Sequence, residues 1–388
     1  ANYPIISVKK WNGEYWEYVG DKNVSELQQT RGVFTSADIN GIKFNNSDVL
    51  YIVYGDFTND GITVKYFDGT NWNIVGNTIP YSDSINTLGS QQYEIPIYFD
   101  SSNNPYIAYL ESDETLFVKT FDGTNWNDIG LSTGIETDIY NFDFALINDI
   151  PYVVFYLTSG LEVKYWDGTI WTNIGSTSIA SGTVYYSQIE ANSSNVPYIV
   201  YTDSSVSFKK VVKYWDGTAW TLLGTEGFGA GASYYNDLKF NNDVPYIVSE
   251  DSNYLTMMYW DGTTWSYLGN SQITNNTITG NINLVFDTND DPYIMFKDDK
   301  LAVISYKEED LKIIVAASDN GLIANYDGSS WTAYDGIGRD SQLYNNAEVI
   351  GTNDIYALQE YDGGLVVAGQ DGRIGYYKYT EELIELDG

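Results

Sequence analysis

An internal repeat constrains this chain more than any other feature. A motif close to V-K-Y-W-D-G-T-x-W-x-x-[ILV]-G recurs about every 50 residues. Its first half alternates with period 2 and is rich in strand-forming residues. The Asp-Gly pair favours a tight hairpin turn, and the second half is another strand ended by glycine. Each copy therefore predicts a β-hairpin. The turn glycines are Gly13, Gly69, Gly123, Gly168, Gly217, Gly262 and, in a weaker copy, Gly328.

A second pattern precedes most copies of the motif. It consists of an apolar strand, a polar turn, a proline and another apolar run, as in SSNVPYIVY. Proline is tolerated at the start of a strand, where its missing N–H is not needed. Each unit is thus four antiparallel strands, which we call A to D. Four-stranded repeats of this length predict an all-β fold, a β-propeller of four-stranded antiparallel blades, and a two-sheet sandwich is the alternative.

The number of blades is less constrained than the fold. The repeat length favours eight blades, with seven as a close alternative. In a third arrangement, strands at 281–297 close on 8–20 to give six blades, and 301–388 form an appended C-terminal piece. Since the chain begins at a C–D hairpin, we expect C-terminal strands to complete the first blade, so that 1–388 form a single domain. A sub-boundary falls near 300: residues 1–300 carry W-D-G-x-x-W repeats, and 301–388 carry divergent repeats.

The composition excludes several kinds of chemistry. The chain has no Cys and no His, so thiolate nucleophiles, zinc clusters and imidazole bases are absent. With 53 acidic and 19 basic residues the formal charge is −34, which argues against nucleic acid and anionic membrane surfaces as partners. No apolar run is long enough to insert in a membrane. The repeated tryptophans are interpreted as packing between blades rather than as ligand contacts.

Two resemblances to known families follow from the repeats. The W-D-G-x-x-W blades, best matched at 186–224, are similar to six-bladed fucose-binding lectins. This resemblance implies a propeller that holds sugar between its blades. Residues 312–379 resemble repeats of bacteriophage virion and bacterial surface propellers. That resemblance implies a structural or adhesive role.

Candidate site residues concentrate on one rim, where the B–C and D–A loops meet. Its acidic B–C loops predict either a solvated surface or a site for calcium or a cationic partner. The GDFTNDG loop offers the most calcium-like cluster, with Asp56, Asn59 and Asp60. In the Gly-rich D–A loop at 225–235, three aromatic residues are candidates for stacking on a sugar or peptide. The predicted ligand-binding residues are Asp56, Asp60, Glu111, Asp113, Asp203, Glu250, Asp251, Asp298, Asp299, Phe228, Tyr234 and Tyr235.

The leading functional hypothesis is a non-catalytic propeller displayed outside the cell, on a cell surface or on a virion. It would act in adhesion, receptor binding or structural assembly, with a protein or glycan receptor as partner and within a larger assembly. The alternatives are a carbohydrate-binding lectin and a carboxylate-dependent glycosidase or lyase. No cofactor is expected apart from calcium. The sequence also predicts that valine at Gly217, in a hairpin turn, destabilises more than valine at Gly229, in the loop at 225–235.

Overall fold

The fold is described from a computed structural model of the chain. The structure describes residues 8–11, 16–21, 24, 39–56, 59, 61–80, 95–111, 113–269, 271–274, 278, 282–286, 290–297, 301–305, 322–326, 331–335, 355–361, 364–369 and 373–378. The chain divides into two compact units, Ser82–Ile273 and a unit that combines Ala1–Tyr81 with Thr274–Gly388. We describe each unit by itself.

Strands make up nearly all of the regular structure in the described residues, with a single 3₁₀ turn at Ser204–Val206. The strands are β1 (Lys9–Trp11), β2 (Trp16–Tyr18), β3 (Ile39–Phe44), β4 (Leu50–Asp56), β5 (Gly61–Phe67), β6 (Trp72–Ile74), β7 (Ile79–Pro80), β8 (Ile97–Phe99), β9 (Pro105–Leu110), β10 (Leu116–Phe121), β11 (Trp126–Asp128), β12 (Asn141–Ile147), β13 (Ile150–Leu157), β14 (Gly160–Trp166), β15 (Trp171–Asn173), β16 (Val184–Ala191), β17 (Pro197–Asp203), β18 (Lys209–Trp215), β19 (Trp220–Leu222), β20 (Ser233–Asn241), β21 (Val244–Asp251), β22 (Tyr254–Trp260), β23 (Trp265–Tyr267), β24 (Asn283–Phe286), β25 (Pro292–Lys297), β26 (Leu301–Ser305), β27 (Leu322–Tyr326), β28 (Trp331–Asp335), β29 (Ile355–Tyr361), β30 (Gly364–Gly369) and β31 (Arg373–Lys378).

Five of the predicted four-strand units each form one antiparallel sheet in the described residues. In the unit Ser82–Ile273 the sheets are β8–β11, β12–β15, β16–β19 and β20–β23, each with its strands in chain order. The other unit holds β3–β6, with β7 paired to β5, together with β24–β26, β29–β31 and the hairpins β1–β2 and β27–β28. Repeated four-stranded antiparallel sheets are the blades of a β-propeller, so the predicted fold class is confirmed. The number of blades stays a prediction.

Both faces of the inner strands in Ser82–Ile273 are buried, because successive sheets pack against each other. Val153 packs against the sheet before its own, and its neighbour Val154 packs against the sheet after it. In the next sheet, Ile199 packs against the sheet before its own and Val200 against the sheet after it. Adjacent side chains of a strand point to opposite faces, so a strand covered on both sides must be apolar throughout. The continuous apolar runs after each proline follow from this packing.

Within the unit Ser82–Ile273, a tryptophan and a glycine join neighbouring blades. The indole Nε1 of Trp220 donates to the carbonyl of Ile174 in the preceding sheet at 2.8 Å, and Trp171 donates to Ile129 in the same way at 2.7 Å. The glycine after each acceptor makes room for the incoming indole. A Cβ on Gly175 would lie 2.9 Å from Cδ1 of Trp220. The tryptophans therefore pack between blades, as the sequence analysis predicted.

The predicted Asp-Gly turn lies at the other end of the D strand, where that strand begins. In the sheet β16–β19, Asp216 Oδ1 accepts from the backbone N–H groups of Thr218 and Ala219, each at 2.8 Å, and its Oδ2 accepts from Thr221 Oγ1 at 2.7 Å. These bonds lower the pKa of Asp216, with the Thr221 hydroxyl as the largest cause. Gly217 takes the positive φ of +93° that the turn requires. The turn aspartates are thus occupied by their own hairpins.

Two glycines of one hairpin provide a matched test of the packing of tryptophan against glycine between neighbouring blades. Gly168 and Gly175 both have positive φ, but nothing lies within 4 Å of a Cβ added at Gly168. Gly168→Ala should cost about 1 kcal/mol through backbone strain alone. Gly175→Ala should cost about 3 kcal/mol, because its methyl also displaces Trp215 and Trp220. Denaturant unfolding of both variants measures the difference in their free energies of unfolding. Equal losses of stability would contradict the packing of tryptophan against glycine.

Candidate functional site

One edge of the blades in Ser82–Ile273 carries the variable loops. Because the strands alternate in direction, the B–C loops and the loops that lead into each A strand lie on the same edge, which we call the loop rim. The predicted carboxylates Asp56, Asp203 and Asp251 occupy one repeated position, the last residue of strand B. All three side chains are buried.

The buried carboxylates hold loops in place. Asp203 accepts the backbone N–H of Ser181 at 3.2 Å, from the loop that enters its own blade, and the N–H of Ser205 at 2.7 Å. Asp251 accepts the N–H groups of Ala230 and Gly231 at 3.0 and 2.7 Å. These acids therefore satisfy backbone groups that a loop would otherwise leave unpaired.

In the loop that the sequence predicts to bind calcium, the carboxylate likewise accepts hydrogen bonds from nearby residues. Asp56 accepts from the side-chain amide of Asn59 at 2.9 Å and from Thr63 Oγ1 at 2.8 Å. Among the described residues, no group of three or more Asp or Glu side chains is placed to hold a metal ion. Asp60 lies outside the described residues.

The remaining predicted acids differ in their surroundings. Glu111 is buried, and Asp113 is exposed and accepts the N–H of Thr115 at 3.1 Å. Asp298 and Asp299 lie outside the described residues. The predicted acidic positions thus include several that serve the fold.

The Gly-rich loop at 225–235 lies over a buried ion pair. Lys210 Nζ is 3.2 Å from Asp251 Oδ2, and both side chains are fully buried. Lys210 also donates to Ser249 Oγ at 3.0 Å. Burial lowers the pKa of Lys210, and the Asp251 carboxylate opposes that shift. Phe228 is buried beneath the loop and stacks on Trp265 at 4.8 Å, so it is part of the core and offers no exposed face to a ligand.

This packing reverses the predicted order of the two glycine variants. A Cβ at Gly229 would lie 2.4 Å from Asp251 Oδ2 and 3.1 Å from Lys210 Nζ, and its φ is +95°. Gly217 has a similar φ and open space around it. Valine at Gly229 adds a clash with a buried ion pair to the backbone strain, so Gly229→Val should destabilise by at least about 2 kcal/mol more than Gly217→Val. Parallel urea titrations test this order, and a smaller loss at Gly229 would contradict it.

Three tyrosines meet on the loop rim where the sheets β16–β19 and β20–β23 adjoin. The ring of Tyr186 lies 5.8 Å from that of Tyr234, edge to face, and 5.0 Å from that of Tyr235. Tyr234 is 36% exposed, and the other two are half-buried. We call these three residues the tyrosine patch.

Two β-bulges create the tyrosine patch. The register shifts between Tyr185 and Gln188 in β16 and between Tyr234 and Asp237 in β20. Tyr186 and Tyr235 take positive φ angles of +51° and +53°, which bulky residues rarely adopt. A regular strand would send two successive side chains to opposite faces, whereas the bulge brings both tyrosines of β20 to one neighbour. Sequence reasoning missed Tyr186, although the YY pair at 185–186 matches that at 234–235.

Glu250 adds a carboxylate beside the tyrosine patch. It pairs in register with Tyr234 across β20 and β21, so the two side chains share one face of the sheet. Only 5% of its surface is exposed, and it has no hydrogen bond or ion pair within the part of the chain that the structure describes. Burial, aided by the negative charge of Asp251, raises the pKa of Glu250 to about 7.

The raised pKa makes stability depend on pH with a definite sign. The folded chain binds the Glu250 proton more tightly than the unfolded chain does, so stability falls as pH rises from about 4.5 to about 7. Glu250→Gln cannot ionise, so it should match the wild type near pH 4.5 and exceed it by about 2 kcal/mol near pH 8. Denaturant unfolding across this range measures the gap. A gap that is constant with pH would contradict the assignment.

Further aromatic pairs extend along the loop rim. Tyr140, which is 45% exposed, lies 6.1 Å from Tyr156 in the sheet β12–β15. Phe208, which is 40% exposed, lies 6.0 Å from Tyr185 in the next sheet. With the tyrosine patch, three successive blades present aromatic rings on this edge. A row of such rings offers several contacts to an extended ligand.

A charged cluster lies on the A strands, away from the loops. Lys239 Nζ is 3.4 Å from Glu190 Oε2 and 3.2 Å from Asp237 Oδ1. Burial raises the pKa of neighbouring Asp143 to about 7, although its carboxylate accepts the N–H of Ile189 at 2.9 Å. These groups partly neutralise one another and tie adjacent A strands together. Sequence patterns alone did not identify this cluster.

Comparisons with known proteins complement this geometry. No family model matches the chain, and no curated protein matches it. Among solved structures, the chain is similar to the extracellular domain of a protein described as a hybrid two-component system from B. thetaiotaomicron, with 14% identity and a TM-score of 0.53. That match covers 90% of this chain and 39% of the other, so this chain spans well under half of its length. At this identity the likeness shows the fold alone.

Fucose-binding lectins are also among the solved structures that match. SapL1 lectin in complex with α-methyl fucoside has 11% identity and a TM-score of 0.49, and the match covers 72% of this chain and 96% of the lectin. The lectin of Aleuria aurantia, described with a six-bladed β-propeller fold and a fucose recognition mode, has 12% identity and a TM-score of 0.45 over 81% and 95% of the two chains. No helix in the described residues has the length and hydrophobicity needed to cross a membrane.

Proposed function

We propose that this chain is a non-catalytic carbohydrate-binding propeller that acts in attachment outside the cell. The observation that carries the proposal is the tyrosine patch, where two bulges hold Tyr186 and Tyr235 at positive φ beside the exposed Tyr234. Strained backbone persists only where its surroundings enforce it, and it concentrates at functional sites. The match to an extracellular domain of another protein supports an exterior location.

The chemistry of the patch suits a sugar. The apolar C–H face of a pyranose ring stacks on an aromatic ring, while its hydroxyls need polar partners nearby. Tyrosine supplies both an apolar face and a hydroxyl. Glu250 supplies a hydrogen-bond acceptor on the same face of the sheet as Tyr234. The further rings at Tyr140 and Phe208 would extend the contact to an oligosaccharide.

The distribution of carboxylates supports a binding role over hydrolysis. Glycosidases of the usual type use two carboxylates that flank the scissile bond. Beside the tyrosine patch, Glu250 is accompanied by Asp251, but successive residues of a strand point to opposite faces. Asp251 is also fully buried and paired with Lys210. Among the described residues beside the patch, the one available carboxylate can bind a sugar but leaves the second catalytic role unfilled.

Alanine substitution on the tyrosine patch tests this proposal. Tyr234→Ala should weaken binding of a glycan identified on a glycan array about tenfold, since an aromatic stack contributes about 1 kcal/mol beyond its buried area. Tyr259→Ala is the matched control, because Tyr259 belongs to the same sheet and packs on Tyr246 at 5.8 Å near the opposite edge. Its affinity should stay within twofold of the wild type. Absence of any bound glycan, or equal losses in the two variants, would contradict the proposal.

A further inference from the structure

We infer that the carbohydrate bound at the tyrosine patch is cationic, an amino sugar whose protonated amine pairs with the carboxylate of Glu250. This inference rests on the proposed function and names its ligand class. It starts from Glu250, a residue with 5% of its surface exposed, whose carboxylate makes no hydrogen bond or ion pair with the described residues and keeps contact with solvent. Its sheet partner, Tyr234, is by contrast accessible to a ligand.

Asp251, next to Glu250 in the same strand, shows which partners a buried carboxylate has in this structure. Asp251 has the ammonium of Lys210 at 3.2 Å and the N–H groups of Ala230 and Gly231. Glu250, one residue earlier and on the other face, has none of these contacts. An ionised carboxylate removed from water is unfavourable unless a cation and hydrogen-bond donors replace the water. Glu250 has no such cation among the described residues, so a ligand ammonium that reaches its carboxylate would stabilise the ionised form.

The groups that face Glu250 are suited to an ammonium ion. The negative charge of Glu250 acts on Tyr186 and Tyr235, and the negative charge of Asp251 acts on Glu250 itself. Burial is the main cause of the raised pKa of all three. The faces of tyrosine rings attract cations, and inclined rings around one point strengthen that attraction. The rings of Tyr186 and Tyr235 are inclined by 52°, and those of Tyr186 and Tyr234 by 80°.

The charge of the whole chain favours the same ligand class. A formal charge of −34 concentrates cations near the surface and repels acidic glycans. This long-range attraction is screened by salt, whereas the contact with a buried carboxylate is screened less. The net charge therefore attracts a cationic sugar at long range, and the contact with Glu250 favours it over a neutral sugar.

A pair of oligosaccharides that differ only in charge tests the inference. We expect a glucosamine hexamer to bind at least tenfold more tightly than an N-acetylglucosamine hexamer, measured by calorimetry at about pH 6.5 and low salt. Glu250→Gln, which keeps the shape and removes the charge, should abolish this preference. Asp113→Asn is the matched control, since it neutralises an exposed acid of the same unit, and it should keep the preference. A single cooperative thermal transition in each protein would show that all three are folded.

The possible outcomes separate the inference from the function on which it rests. If neither hexamer nor any other glycan binds, the carbohydrate-binding function itself is wrong. If both hexamers bind equally, or if Glu250→Gln keeps the preference, the function stands and the cationic ligand is wrong. A lysine-rich peptide that binds in a Glu250-dependent manner, where neither hexamer binds, would replace the sugar with a basic protein segment and would overturn the inference.

Discussion

The structure depends on one repeated contact, in which a tryptophan indole donates to a carbonyl of the preceding blade. Trp171 and Trp220 make this bond at 2.7 and 2.8 Å, and Trp265 makes it at 3.1 Å. Each indole occupies space that only a glycine leaves open, as Gly175 does for Trp220. The contact therefore explains both the tryptophan and the final glycine of the motif. It also keeps successive sheets face to face, with the apolar core between them.

The loop rim uses its acidic residues mainly for the backbone. Loops that enter the blades expose N–H groups, and Asp203 and Asp251 accept several of them. The abundance of acids in this chain is thus partly a requirement of its loops. Glu250 differs from these two aspartates, since it is a buried residue beside three tyrosines and its carboxylate makes no hydrogen bond or ion pair with the described residues. This lack of a partner for the Glu250 carboxylate among the described residues is the basis for assigning a ligand to the tyrosine patch.

Local patterns predicted the blades well, whereas long-range contacts determined the site. The Asp216-Gly217 turn and the strand that begins at Pro197 follow from rules that involve a few adjacent residues. Phe228 looked accessible because it lies in a Gly-rich loop, but a lysine and a tryptophan distant in sequence bury it. Gly229 looked permissive for the same reason, and Asp251 fills the space beside it. Tyr186 was missed because a bulge, rather than strand alternation, directs its side chain.

The central claim is that ligand binds at the tyrosine patch and not along the tryptophan-bearing D strands. Hydrogen exchange of the 388-residue chain, followed by mass spectrometry with and without a glucosamine hexamer, tests it most directly. The account predicts slower exchange in peptides that cover 183–190 and 230–252, and unchanged exchange in 215–222. Slower exchange in 215–222 and 260–267, with the loop rim unaffected, would contradict it.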